Sequence, residues 1–268
     1  AVHTHECSKA SLKSKQPSIK SNHNQFMIKY LTLTTLALAA TISTSFSQAS
    51  QRDDAEIKLG FEALTSWRSE YIYRGFQLAD NSMEFQLGGQ VALSNNETID
   101  FGFHHGTATS DGDFSETGAY IDFSKNIGDI TYTAKLALRD YSNTDKAPAS
   151  NFKSGADIGG SIRWALNEDL DFTTHFSYDT GADGFYLESK FSYYKNIDQD
   201  SYITLETGIS AVADYYSRDG LNHAFTTLEY TYNISDAVSV SPFISASLGI
   251  DDQADNHLFG GVYFAVSF

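Results

Sequence analysis

From residue 57 to its end the chain can be cut, at clusters of Asn, Asp, Gly and Ser, into runs that alternate polar and apolar side chains, and none of it carries a helical period. A period of two restricts the fold to strands with two unlike faces. The runs lie near 57–73, 83–93, 98–106, 116–125, 130–141, 154–166, 170–179, 184–195, 201–215, 223–233, 238–250 and 257–268. Each is long enough for a tilted strand to cross a bilayer. In 170–179, Leu170, Phe172, Thr174, Phe176 and Tyr178 share one face, opposite Asp171, Thr173, His175, Ser177 and Asp179. In 238–250, Val238, Val240, Pro242, Ile244, Ala246, Leu248 and Ile250 oppose Ser239, Ser241, Phe243, Ser245, Ser247 and Gly249. Five short turns interleave with six longer, Asp-rich links, which puts both ends of the barrel segment on the short-turn side. That is the pattern of an even-stranded outer-membrane barrel. The expected fold is therefore all-β: a twelve-stranded antiparallel transmembrane β-barrel.

The two ends of the sequence carry address signals of the same kind. Phe264, Val266 and Phe268 share a face of the last run, and a terminal aromatic on such a strand is the expected assembly signal, making the barrel assembly machinery a partner. Near the start, Met27 is followed by Lys29, an apolar run from Tyr30 to Ala40 and the small-x-small site Ser47-Gln48-Ala49. This pattern predicts a Sec-type signal peptide over 27–49, too short to span a bilayer. Residues 1–26 read as an upstream artefact, and 50–268 as one barrel domain. The leader takes with it five lysines, one glutamate and the only cysteine, Cys7, leaving 13 basic against 33 acidic residues, net −20. A cysteine-free exported chain has no disulfide framework. Its acidity argues against nucleic acid and anionic headgroups as ligands. Outer-membrane lipids, small hydrophilic solutes and cations are the expected partners, with no cofactor.

Assigning the apolar face to lipid turns many charges inward. The expected pore-lining set is Glu62, Arg68, Glu70, Arg74, Asp100, Asp122, Lys135, Arg139, Asp157, Arg163, Asp171, Glu188, Lys190, Glu206, Asp214 and Glu229, with Lys58 on the same face. Charges away from bulk water must be paired or hydrated. They either interlock to fill a narrow lumen or line a wet path whose acidic excess favours cations. Inward Tyr120, Tyr186, Tyr194, Phe225, Phe243 and Phe259 would narrow that path. Trp164, Tyr193, Tyr232, Phe123 and Phe268 suit an aromatic belt at the short-turn side, and Tyr178, Phe185, Tyr215 and Phe103 one at the other.

Catalysis is not expected. Some barrels are phospholipases or rim proteases, but nothing here resembles the phospholipase Ser motif, and a rim His beside acids, as at His223 and His257, is ordinary in loops this acidic. No metal site is expected either. His104 and His105 point to opposite faces of a strand, and the acids of 111–113 and 251–252 lack EF-hand spacing.

Ser69-Glu70-Tyr71-Ile72-Tyr73-Arg74-Gly75, followed by Phe76 to Asn81 and Phe85-Gln86-Leu87-Gly88-Gly89, resembles the Ser-x-Tyr-x-x-Arg-Gly opening of the TorF-type porin family of small exported barrels. The family's Pro after the Asp-Asn pair is absent. The resemblance covers about twenty residues and implies an outer-membrane barrel of porin type. On parity alone, Arg68, Glu70 and Arg74 face inward from the first strand while Trp67, Tyr71 and Tyr73 face outward. Arg74 then either ties down the first loop or meets a solute carboxylate. The expected function is passive diffusion of small hydrophilic solutes with cation preference; the alternative is a non-conducting barrel whose acidic loops bind a partner or divalent cations.

Overall fold

The computed structural model describes residues 59–109, 114–144, 152–250 and 254–268. The expected signal peptide, Lys58 and the acidic segments 111–113 and 251–252 lie outside these. The wall is a closed antiparallel barrel of twelve strands: β1 (Leu59–Arg68), β4 (Ser82–Ser94), β5 (Glu97–Ala108), β6 (Ser115–Ile127), β7 (Ile130–Ser142), β8 (Gly155–Asn167), β9 (Leu170–Asp179), β10 (Gly184–Asn196), β11 (Ser201–Tyr215), β12 (Arg218–Ser235), β13 (Val238–Gly249) and β14 (His257–Ser267). Two short strands, β2 (Tyr71–Tyr73) and β3 (Phe76–Ala79), pair only with each other. Among the described residues there is no α-helix.

The alternation in the sequence becomes an inside and an outside. On β13, Ser241, Phe243, Ser245 and Ser247 are buried while Pro242, Ile244 and Leu248 are exposed. On β4, Ser82, Glu84 and Gln86 are buried while Met83, Phe85 and Leu87 are exposed. An outer face of such residues all round is far larger than the apolar patches that soluble monomers show, and suits lipid. Trp164, Tyr193, Tyr232, Phe123 and Phe268 are exposed, as is Phe185 at the opposite end of the wall, whereas the exposed Phe103, expected in that second belt, lies near the middle of β5.

Turn chemistry fixes the short-turn end. Between β10 and β11, Asp198 accepts hydrogen bonds from Ser201 Oγ (2.7 Å) and the Asp200 N–H (3.0 Å). The Ser201 bond and then the Asp200 bond hold its carboxyl below the usual carboxylate range.

The structure corrects three expectations, each where the backbone leaves the β region. The first run is not one strand. β1 stops at Arg68 and pairs directly with β4 down to Arg68↔Ser82, while Ser69 and Glu70 lead the chain into the mouth. Tyr71 and Tyr73, expected outward, pack on the core of that inserted hairpin. Its turn, Arg74-Gly75, has φ of 51° and 77°, the left-handed pair that a two-residue type I′ hairpin needs. Second, the expected link 216–222 is mostly strand. β12 begins at Arg218, and the turn is only Tyr216-Ser217, with φ of 49° and 67°. Third, a bulge shifts the register of β11 between Val212 and Tyr215. An extra residue reverses parity. Asp214, expected in the lumen, is exposed with φ 54°, and Tyr215, expected in an aromatic belt, is fully buried inside.

Candidate functional site

The lumen holds a cavity of about 970 Å³ that runs from the rim of the short-turn mouth, at Asp198, Asp200 and Asp236, to the inner side of the hairpin at Tyr71–Gly75. Of the expected set, Glu62, Arg68, Arg74, Lys135, Arg139, Glu188, Lys190, Glu206 and Glu229 line it. Asp100, Asp122, Asp157 and Asp171 sit on the inner wall but are taken up by neighbours. Asp100 accepts from Gln90 Nε2 (2.6 Å), Asp122 pairs with Lys135 (3.0 Å), Asp157 with Arg74, and Asp171 with a half-exposed Arg163 (3.3 Å). Glu70 lies in the link after β1, where it meets His257 Nδ1 at 2.9 Å, and does not border the cavity.

Four luminal groups, Glu84, Glu116, His104 and Asp179, lie outside the expected pore-lining set, although each sits on the polar parity of its strand. Glu84 binds Arg68 (2.6 Å). Glu116, with no exposed surface, gathers Arg139 (2.6 Å), His104 (2.9 Å) and the Tyr71 hydroxyl (2.5 Å). Asp179 accepts from the Tyr215 hydroxyl (3.0 Å).

The hairpin closes the long-loop side of this cavity, and side chains hold it there. The Arg74 guanidinium meets Asp157, donates to Ser177 Oγ (3.0 Å) and Tyr215 Oη (3.0 Å), and lies 3.7 Å from Asp179. Its carbon is 4.3 Å from the centre of the Tyr186 ring. The tip rests on β12: Asn222 Nδ2 donates to the Arg74 carbonyl (2.8 Å) and Arg218 to that of Gly75 (3.3 Å). A Cβ on Gly75 would come within 2.8 Å of His223 Nδ1, so glycine serves both the left-handed turn and the close approach. His223 is in turn bonded to Ser210 Oγ (2.7 Å). Ser210 is buried, so this serine and histidine form a seat for the tip rather than an accessible nucleophile.

Above the charged layer lies an apolar one. Phe76 and Leu78 of the hairpin pack with Phe114, Phe152, Val212 and Tyr215; Phe76 and Phe152 cross edge to face at 5.1 Å, and Phe152 stacks on Tyr216 at 4.3 Å. Burying side chains of this kind stabilises by about 1.5–3 kcal/mol each.

Within the cavity the two signs of charge are treated differently. Arg68, Lys135, Arg139 and Lys190 each have a carboxylate within 3.0 Å. By contrast, Glu62, Glu188 and Glu229 have hydroxyl partners: Ser267 Oγ (3.4 Å), Tyr186 Oη (2.6 Å) and Thr231 Oγ1 (3.2 Å). Among the described residues no salt bridge joins these three to a cation. The remaining wall, over β12 and β13, is hydroxyl-rich, with Thr227, Ser241, Ser245 and Ser247 facing in.

No family model matches the chain, and no curated protein matches it in sequence. Solved structures do match in shape. The KdgM porin is 10% identical, with 78% of this chain and 99% of that chain covered and a TM-score of 0.51. LpxR from Salmonella typhimurium is 9% identical over 77% of this chain and 99% of that one, at 0.51. The COG4313 outer membrane channel from Pseudomonas putida F1 is 8% identical over 82% and 100%, at 0.53. Identities this low carry the architecture and not the activity: the chain has the fold of an outer-membrane β-barrel.

Proposed function

We propose that the protein is an outer-membrane channel of the TorF-type porin family, passing small hydrophilic solutes by passive diffusion with a preference for cations. One observation carries this reading: a polar cavity of about 970 Å³ in which each basic group has a carboxylate partner while Glu62, Glu188 and Glu229 form no salt bridge among the described residues. An excess of carboxylates in a confined lumen raises the local concentration of cations and repels anions. The apolar outer face fits lipid, and Phe264, Val266 and Phe268 serve as the assembly signal.

Planar-bilayer recording across a salt gradient tests the proposal. The expected result is discrete steps with a cation-selective reversal potential that moves toward zero in the triple variant Glu62→Gln, Glu188→Gln, Glu229→Gln. An unchanged reversal potential in that variant would remove the lumen as the source of selectivity. The hairpin across the long-loop mouth favours a second reading, a non-conducting barrel whose acidic loops bind a partner or divalent cations. A folded protein that never conducts would select it.

A further inference from the structure

The wall is complete without the hairpin. β1 and β4 pair at ten consecutive positions from Leu59↔Val91 to Arg68↔Ser82, so the chain could turn there and leave the barrel closed. Instead it makes an excursion through 69–81. Of that stretch, Ser69 donates its N–H to the Gly260 carbonyl (2.9 Å) and Asn81 accepts from the Thr109 N–H (2.9 Å). Between them, no backbone hydrogen bond joins residues 70–80 to a wall strand among the described residues; β2 and β3 form a sheet of their own. The hairpin is thus attached by two short links and held by side chains. Its one charged anchor, Arg74, adopts a left-handed backbone that costs a residue with a Cβ about 1–2 kcal/mol. That conformation persists because the guanidinium is fixed by Asp157, Ser177 and Tyr215.

Resting on the channel reading above, we propose that the β2–β3 hairpin is the gate of the barrel, that it moves as a unit about its two links, and that the Arg74 contact with Asp157 and Asp179 is the latch. Removing the guanidinium leaves Asp157 and Asp179 buried without their salt-bridge partner. With that bond gone the tip is held only by its contacts to Arg218, Asn222 and His223 on β12, and it lifts from that seat as water solvates the two carboxylates. The wall ladder is not involved in that movement.

The test uses the full protein, its folding checked by heat-modifiable electrophoretic mobility, in three variants. In the first, residues 70–80 are replaced by one glycine, so that Ser69-Gly-Asn81 forms a three-residue loop of a kind hairpins accept. The others are Arg74→Gly, which relaxes the turn while removing the latch, and Arg74→Lys, which keeps a cation. In bilayers the expected result is rare or small steps for the parent and for Arg74→Lys, frequent steps for Arg74→Gly, and long-lived steps several-fold larger for the loop replacement. Equal conductance of parent and loop replacement overturns the gate while leaving the channel. A folded loop replacement that does not conduct overturns the channel reading itself. A second readout is independent of conduction: in a Cys7→Ser background, a thiol reagent should label Leu78→Cys several-fold faster when Arg74→Gly is present. Labelling at the parent rate would overturn the latch.

Discussion

Glu116 and Glu97 are each paired with a basic residue, and the two pairs are worth very different amounts. Glu116 has no exposed surface and is the acceptor for Arg139, His104 and Tyr71 together. Replacing it strands a buried guanidinium, and such losses cost about 3–5 kcal/mol. Lys125 and Glu97 meet at 2.9 Å on a surface where their side chains remain 50% and 32% exposed, and pairs of that kind contribute about 0–1 kcal/mol. Urea unfolding in lipid vesicles should therefore show a large drop in midpoint for Glu116→Gln and almost none for Glu97→Gln. Comparable drops would mean that the Glu116 cluster is hydrated. Glu116, His104 and Asp179 were legible in principle, because each lies an even number of places from an expected luminal residue of its strand: Glu116 from Asp122, His104 from Asp100, Asp179 from Asp171; Glu84 shares the polar parity of Ser82 and Gln86. What period two cannot convey is which of the inward groups meet. That depends on register between strands, as when Glu116 reaches Arg139 from the next strand.

At the scale of the element, two hairpins turn through left-handed pairs, and they carry opposite predictions. Ser217, with φ 67°, has a Cβ that this region disfavours, so Ser217→Gly should stabilise the fold by about 1 kcal/mol in the same urea assay. Gly75, with φ 77°, has His223 against it, so Gly75→Ala meets both strain and overpacking and should cost about 1–3 kcal/mol. A neutral Gly75→Ala would mean that the tip is not seated on β12. The inserted hairpin escapes sequence reading for a physical reason. Tyr71 and Tyr73 prolong the alternation of β1, and Ser69-Glu70 holds no Gly or Pro to mark a bend. Arg74-Gly75 can then pass for the end of a strand. The bulge at Asp214 is silent for a related reason: one extra residue changes parity without changing composition.

For the whole molecule, the apolar outside makes depth in the bilayer measurable. Ile162, exposed near the middle of β8, and Ile127, exposed at the short-turn end of β6, differ in little else. Ile162→Arg should cost about 2–4 kcal/mol and Ile127→Arg about 0–1 kcal/mol in vesicles, with both costs falling in detergent. Equal penalties would contradict a membrane span. The twelve-strand architecture was readable because strand count, turn length and alternation all depend on local sequence.

The closure of the barrel has a consequence of its own. β1 meets β14 at seven paired positions, Glu62↔Ser267 to Arg68↔Gly261, where β6 and β7 share thirteen. It is the shortest joint in the wall and the only one between strands distant in sequence. Phe268 clasps it, exchanging backbone hydrogen bonds with Phe61 at 2.9 and 3.0 Å and stacking on its ring. Until that last strand arrives, the growing sheet has two unpaired rims, each a template for another chain. The pairing of β14 with β1 thus decides between a sealed cylinder and a sticky ribbon, and a seam this short is where the cylinder would first unzip.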